Sequence, residues 1–152
     1  MQARSSWNET EWLLELAAQT PFIKAVVGWA DPRDASLGDR LEKLTPGSKL
    51  AGLRYELQDQ HEDVMLQAAF VEGLALLHNY NLVFDLLIRP RHLRNAYQLC
   101  RRYPRQRFVV DHIAKPLIKQ GVMEPWVHDL RKLASLPNVF CKVSGMVTEA
   151  DW

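Results

Sequence analysis

Two short runs carry the residues best suited to chemistry. Phe108-Val109-Val110-Asp111-His112 leads into Ile113-Ala114-Lys115-Pro116. Val139-Phe140-Cys141-Lys142-Val143-Ser144-Gly145 follows further on. Each is an apolar run that turns polar at its C-terminal end. In a parallel α/β barrel the C-terminal strand ends hold the reacting groups. His112 can ligate a metal or polarise a carbonyl near neutral pH. Lys142 and Ser144 add a cation and a hydroxyl.

Earlier apolar runs also contain polar residues: Arg54 and Glu56 in one, Asp85 in the next. Under a helix layer a charge is costly unless paired, so the expected direction is inward, toward the barrel mouth. Arg54, Asp85, His112 and Lys142 would then come from four neighbouring strands and form a ring of alternating sign. The plainer reading of Asp85 with Arg54 is a structural ion pair, and such pairs perturb ionisation without doing chemistry. A single histidine on a strand is more often packed and hydrogen-bonded than reactive, so the pattern alone leaves both readings of His112 open. His61, His78, His92 and His128 fall in turns, at helix ends or on a helix face, where solvent is expected. Gly28-Trp29 and Trp126 read as packing residues. Ser144-Gly145 is not a GxSxG elbow, and no P-loop or GxGxxG is present.

The elements that must position these residues alternate. Helices are expected over 10–19, 37–44, 62–79, 91–102 and 125–135, from apolar spacing and from the prolines and glycines that stop them. Strands are expected over 23–30, 50–57, 82–88, 107–113 and 139–144. Lys115 to Glu124 is the one long loop. The strands are apolar on both faces, as in a parallel sheet covered by helices, and strict alternation means α/β.

The bulk numbers fit one globular domain. Over 152 residues, 47% are apolar and 24% charged, which argues against disorder. A net charge of +1 gives no footing for nucleic acid. No apolar run reaches membrane-span length, and the first residues lack the apolar core of a signal peptide. Cys100 and Cys141 stand alone, which removes zinc-ribbon readings and fits a reducing cytoplasm.

Several stretches together resemble a known group. They are Gln2 with Glu9-Thr10-Glu11-Trp12-Leu13, Val26-Val27-Gly28-Trp29, Gly52-Leu53-Arg54, Phe84-Asp85-Leu86, Asp111-His112-Ile113-Ala114-Lys115-Pro116, Lys142-Val143-Ser144-Gly145 and Thr148-Glu149-Ala150-Asp151-Trp152. In this order they resemble the lactonase-like branch of the amidohydrolase superfamily, TIM-barrel hydrolases related to L-fuconolactonase and L-rhamnonolactonase. Such proteins open with HxH on the first strand and close with an aspartate in a GSDWP-like segment on the last. Neither is in this sequence. Met1-Gln2 matches the tail of a second strand and Trp152 the loop after a seventh. The resemblance therefore implies a single partial (β/α)8 domain over 1–152, strands three to seven. Tyr55 departs from it, standing where relatives often carry histidine.

The resemblance also implies hydrolysis of a sugar lactone or a similar small cyclic ester. His112 would polarise the carbonyl or help hold a divalent, zinc-class metal. Arg54 and Lys142 would bind substrate hydroxyls or a carboxylate, with Ser144 beside them. Asp85 would orient its neighbours. The water-activating aspartate would lie in the absent strand, so the 152-residue chain alone is expected to be inactive and to bind metal weakly or not at all. A cofactor-free enzyme is equally compatible with the family. The alternatives are a catalytically inactive barrel fragment and a small-molecule binding module using the same pocket.

Overall fold

The computed structural model describes residues 2–151; Met1 and Trp152, the two ends of the resemblance, lie outside the described residues. Helix α1 spans Trp7–Gln19. Strand β1 is Val26–Trp29, followed by α2, Leu37–Leu44. Next come β2, Leu50–Tyr55, and α3, Ala68–Asn79. Strand β3 is Val83–Leu86 and α4 is Leu93–Arg102. Strand β4 is Phe108–Val110, α5 is Trp126–Ala134 and β5 is Val139–Cys141. The strands form one parallel sheet in chain order, β1-β2-β3-β4-β5. Sequential order is what right-handed strand–helix–strand units produce.

Strand alternation sorts the side chains. Leu53 on β2, Phe84 on β3 and Phe108 on β4 share one register row, all fully buried. They face the helix layer, where Phe70 of α3 meets Phe84 edge-on with ring centroids 5.8 Å apart. The same side seats Gly28, where an added Cβ would lie 2.5 Å from the Thr10 side chain of α1. The opposite parity carries Arg54, which pairs in register with Asp85.

Three expected elements change. The helix expected over 62–79 is split: Glu62–Leu66 is a 3-10 turn, and Gln67 is extended before α3 begins. The break lets Val64 and Met65 be buried separately from Phe70, Leu74 and Leu77 of α3, which one straight helix would spread over its length. The strand expected over 107–113 stops at Val110, because His112 to Lys115 turn left-handed. The strand expected over 139–144 stops at Cys141, and a 3-10 turn, Val147–Glu149, follows it. The 115–124 loop carries a single antiparallel bridge, Leu117 to Val122. No described helix is long and apolar enough to cross a membrane.

Candidate active site

Arg54 and Asp85 lie side by side at the C-terminal ends of β2 and β3. On β4, Phe108 and Val110 are the buried outer positions, so Asp111, the next residue after Val110, faces inward with Arg54 and Asp85. On β5, Val110 pairs with Cys141, so Lys142 takes the matching inward place. The four meet. Arg54 Nη1 donates to Asp111 Oδ2 at 3.0 Å, Lys142 Nζ lies 2.6 Å from Asp111 Oδ1, and Lys142 also pairs with Asp85. Three ion pairs link two cations and two carboxylates in turn, and Arg54 and Asp85 at the two ends are neighbours in register.

The ring is anchored from below. Arg54 Nε donates to Gln2 Oε1 at 2.6 Å, and the Gln2 amide donates to Glu56. Trp29 Nε1–H donates to the same carboxylate of Glu56 at 2.9 Å. Gln2 also donates its backbone N–H to Val27 O at 2.9 Å, which ties it alongside β1. Asp111 is fully enclosed, Asp85 nearly so, and Arg54 is buried; Lys142 keeps 28% of its side chain exposed and is the most open member. Burial pushes the Asp85 carboxyl above its ordinary range; the Lys142 bond opposes this and the nearby Asp111 charge adds to it.

His112 is not the fourth member of this ring. Alternation along β4 assigns that place to Asp111, and His112 follows one residue later, where the backbone leaves the strand. Its Nδ1 lies 2.9 Å from Ser144 Oγ, so the β4 and β5 ends are joined a second time at the rim. Asp111 escaped the sequence reading, although its parity with Phe108 and Val110 would have revealed it. Tyr55, on the helix-facing side, bonds Arg33 at 2.7 Å. His61, His78 and His128 are exposed as expected. His92 is the exception, buried between two loops: its Nδ1 accepts from Arg89 N–H at 3.2 Å and its Nε2 meets Gln60 O at 3.2 Å. Surface clefts of about 550 Å³ beside α1 and about 380 Å³ between α3 and the loop before β4 are lined by none of Arg54, Asp85, Asp111 and Lys142.

The family model for amidohydrolases matches residues 1–152. The chain belongs to the amidohydrolase family. This amidohydrolase chain is 41% identical over 160 residues to an L-fucono-1,5-lactonase of Burkholderia multivorans, covering 100% of this chain and 53% of the relative. It is 38% identical to an L-fucono-1,5-lactonase of Burkholderia ambifaria, covering 99% of this chain and 52% of that protein. Among solved structures, an amidohydrolase from Burkholderia multivorans with bound zinc superposes with a TM-score of 0.92 at 41% identity, over 99% of this chain and 54% of that one. The chain spans about half the length of the curated relatives it matches. Its sheet corresponds to five consecutive strands of an amidohydrolase TIM barrel.

The donor set bears on metal binding. Among the described residues there is no group of three or more histidine, cysteine or acidic side chains placed to hold a metal ion. The carboxylates of Asp85 and Asp111 already face Lys142 and Arg54. These residues do not make a metal cage by themselves.

Proposed function

We propose that this segment supplies the substrate-binding and carbonyl-activating part of a lactone hydrolase acting on a sugar lactone or similar small cyclic ester. The observation that carries the reading is the ring of Arg54, Asp85, Asp111 and Lys142, with the His112–Ser144 pair at its rim. Relatives of 41% and 38% identity are L-fucono-1,5-lactonases, which points the chemistry to lactones.

Ring opening needs water to attack the lactone carbonyl and a group to stabilise the oxyanion that forms. Lys142 is the cation a substrate can reach, and Asp85 and Asp111 fix its Nζ. Arg54 is more deeply buried and held by Gln2 and Asp111, so its part is to keep Asp111 in place. Ser144 fixes one ring nitrogen of His112, which frees Nε2 to meet the carbonyl or the leaving alkoxide. An imidazole fixed by Ser144 and an ammonium fixed by two carboxylates are preorganised groups of the kind that act on developing negative charge. The zinc in the Burkholderia multivorans relative makes a divalent metal a candidate partner of the site. The described residues would give it His112 as a ligand.

The test is hydrolysis. A protein containing this segment, assayed by pH-stat on a panel of aldonolactones including L-fucono-1,5-lactone, is expected to turn over at least one of them. No turnover on any of them, in a folded preparation assayed with and without added zinc, would overturn the reading.

A further inference from the structure

The backbone after β4 does something costly. His112, Ile113, Ala114 and Lys115 have φ values of 52°, 47°, 58° and 49°. A left-handed run of L-residues is disfavoured at every position, and most of all at a β-branched one such as Ile113. Such a run survives only where its surroundings over-determine it. Here they do. Ile113 N–H donates to Lys142 O at 3.2 Å, and Lys115 N–H donates back to His112 O at 2.9 Å. Trp126 Nε1–H, from the start of α5, donates to Ile113 O at 2.8 Å. Lys115 Nζ donates to Gln58 Oε1 at 2.6 Å. Gln58 is itself fixed, its N–H donating to Leu87 O at 2.8 Å and its carbonyl accepting from Arg91 at 2.7 Å. The loops after β2, β3 and β4 are thereby tied together.

The turn also decides where His112 goes. Plain alternation after Asp111 would send residue 112 toward the helix layer. The left-handed backbone instead delivers the imidazole to Ser144 Oγ, closely backed by Gly145. We propose that Trp126 and Lys115 are positioning residues, which lock the left-handed turn and so hold His112 against Ser144 at the mouth of the site. Only the kinetic arm of the test rests on the lactone-hydrolase reading.

Trp126→Phe keeps an aromatic ring and removes the donor. Lys115→Met keeps the stem and removes the ammonium, and Lys115→Arg restores a donor. The readout is the pair of His112 ring nitrogens in long-range 1H–15N NMR, assigned by their absence in His112→Asn. In the wild type they are expected at two distinct shifts, as for one fixed tautomer. In Trp126→Phe/Lys115→Met they are expected to move toward a common averaged shift. The turnover number should fall about tenfold, the low end for losing groups that orient a ligand, with a much smaller change in KM. Lys115→Arg should restore most of both. If the double variant does not fold, each single variant should show a partial change of the same kind. A wild-type His112 signature in the folded variants would overturn the proposal. So would a loss of thermal stability with the imidazole unmoved. If the wild type hydrolyses no lactone, the functional reading fails alone, and the imidazole signature still decides on the turn.

Discussion

On the proposed reading His112 and Lys142 both act on the substrate, and they should fail differently when changed. His112→Asn removes the imidazole but leaves a side chain able to bond Ser144. It is expected to lower lactone turnover by roughly a hundredfold, the usual scale for losing an acid-base or oxyanion partner. Steady-state kinetics with circular dichroism as the folding control checks this, and near-normal turnover in a folded variant would return His112 to a structural role. Lys142→Met should raise KM more than it lowers kcat if the ammonium holds substrate. It also leaves Asp85 and Asp111 with one cation fewer between them, so a lower melting temperature should accompany the kinetic change.

At the scale of elements, close approach is set by glycines that have nothing to do with turns. An added Cβ at Gly73, within α3, would lie 1.7 Å from the carbonyl oxygen of Pro32. Backbone cannot yield there as a flexible side chain could. Gly73→Ala is therefore expected to destabilise the protein by about 3 kcal/mol, the upper end for overpacking; urea denaturation would measure it, and a loss below about 0.5 kcal/mol would mean α3 moves freely. The order and type of the elements were legible because apolar runs alternate with helical periodicity, and Leu53, Phe84 and Phe108 do line one face as such runs should. The charged positions Arg54, Asp85 and Lys142 were legible for the same reason, since a charge in an apolar strand has few places to go. Asp111 was hidden by its neighbour, because histidine is the more obvious chemical type and no residue in the sequence ends the strand before it. Nothing in the types Ile, Ala and Lys announces a left-handed turn; that conformation is imposed by Trp126, Gln58 and Lys142 from elsewhere in the chain. His92 was hidden too, since its burial depends on Gln60 and Arg89 meeting around it.

For the whole molecule the buried ionisable groups set how stability varies with pH. Burial holds His92 below its ordinary value of 6.5. The unfolded chain therefore binds a proton at His92 that the folded chain refuses, and stability falls as pH drops below 6.5. Asp85 works in the opposite sense. Its raised value means the folded form takes the proton first, so its contribution grows as pH falls through that raised value toward 3.8. At Asp31 burial acts upward, but the Arg33 bonds outweigh it and leave the group lowered, so its stabilisation is lost only as pH falls below 3.8. Urea midpoints are expected to drop between about pH 7.5 and pH 5.5 through His92, and His92→Gln should flatten that slope. An unchanged slope in that variant would place the titrating group elsewhere. A different consequence follows from the order of the sheet. Among the described residues each strand is hydrogen-bonded to its neighbours in chain order, so β3 sits between two strands that are themselves paired on both sides. Freeing it is like lifting the middle slat of a row. Amide hydrogens of β3 should therefore exchange only through the most extensive opening of this segment, which native-state hydrogen exchange would measure.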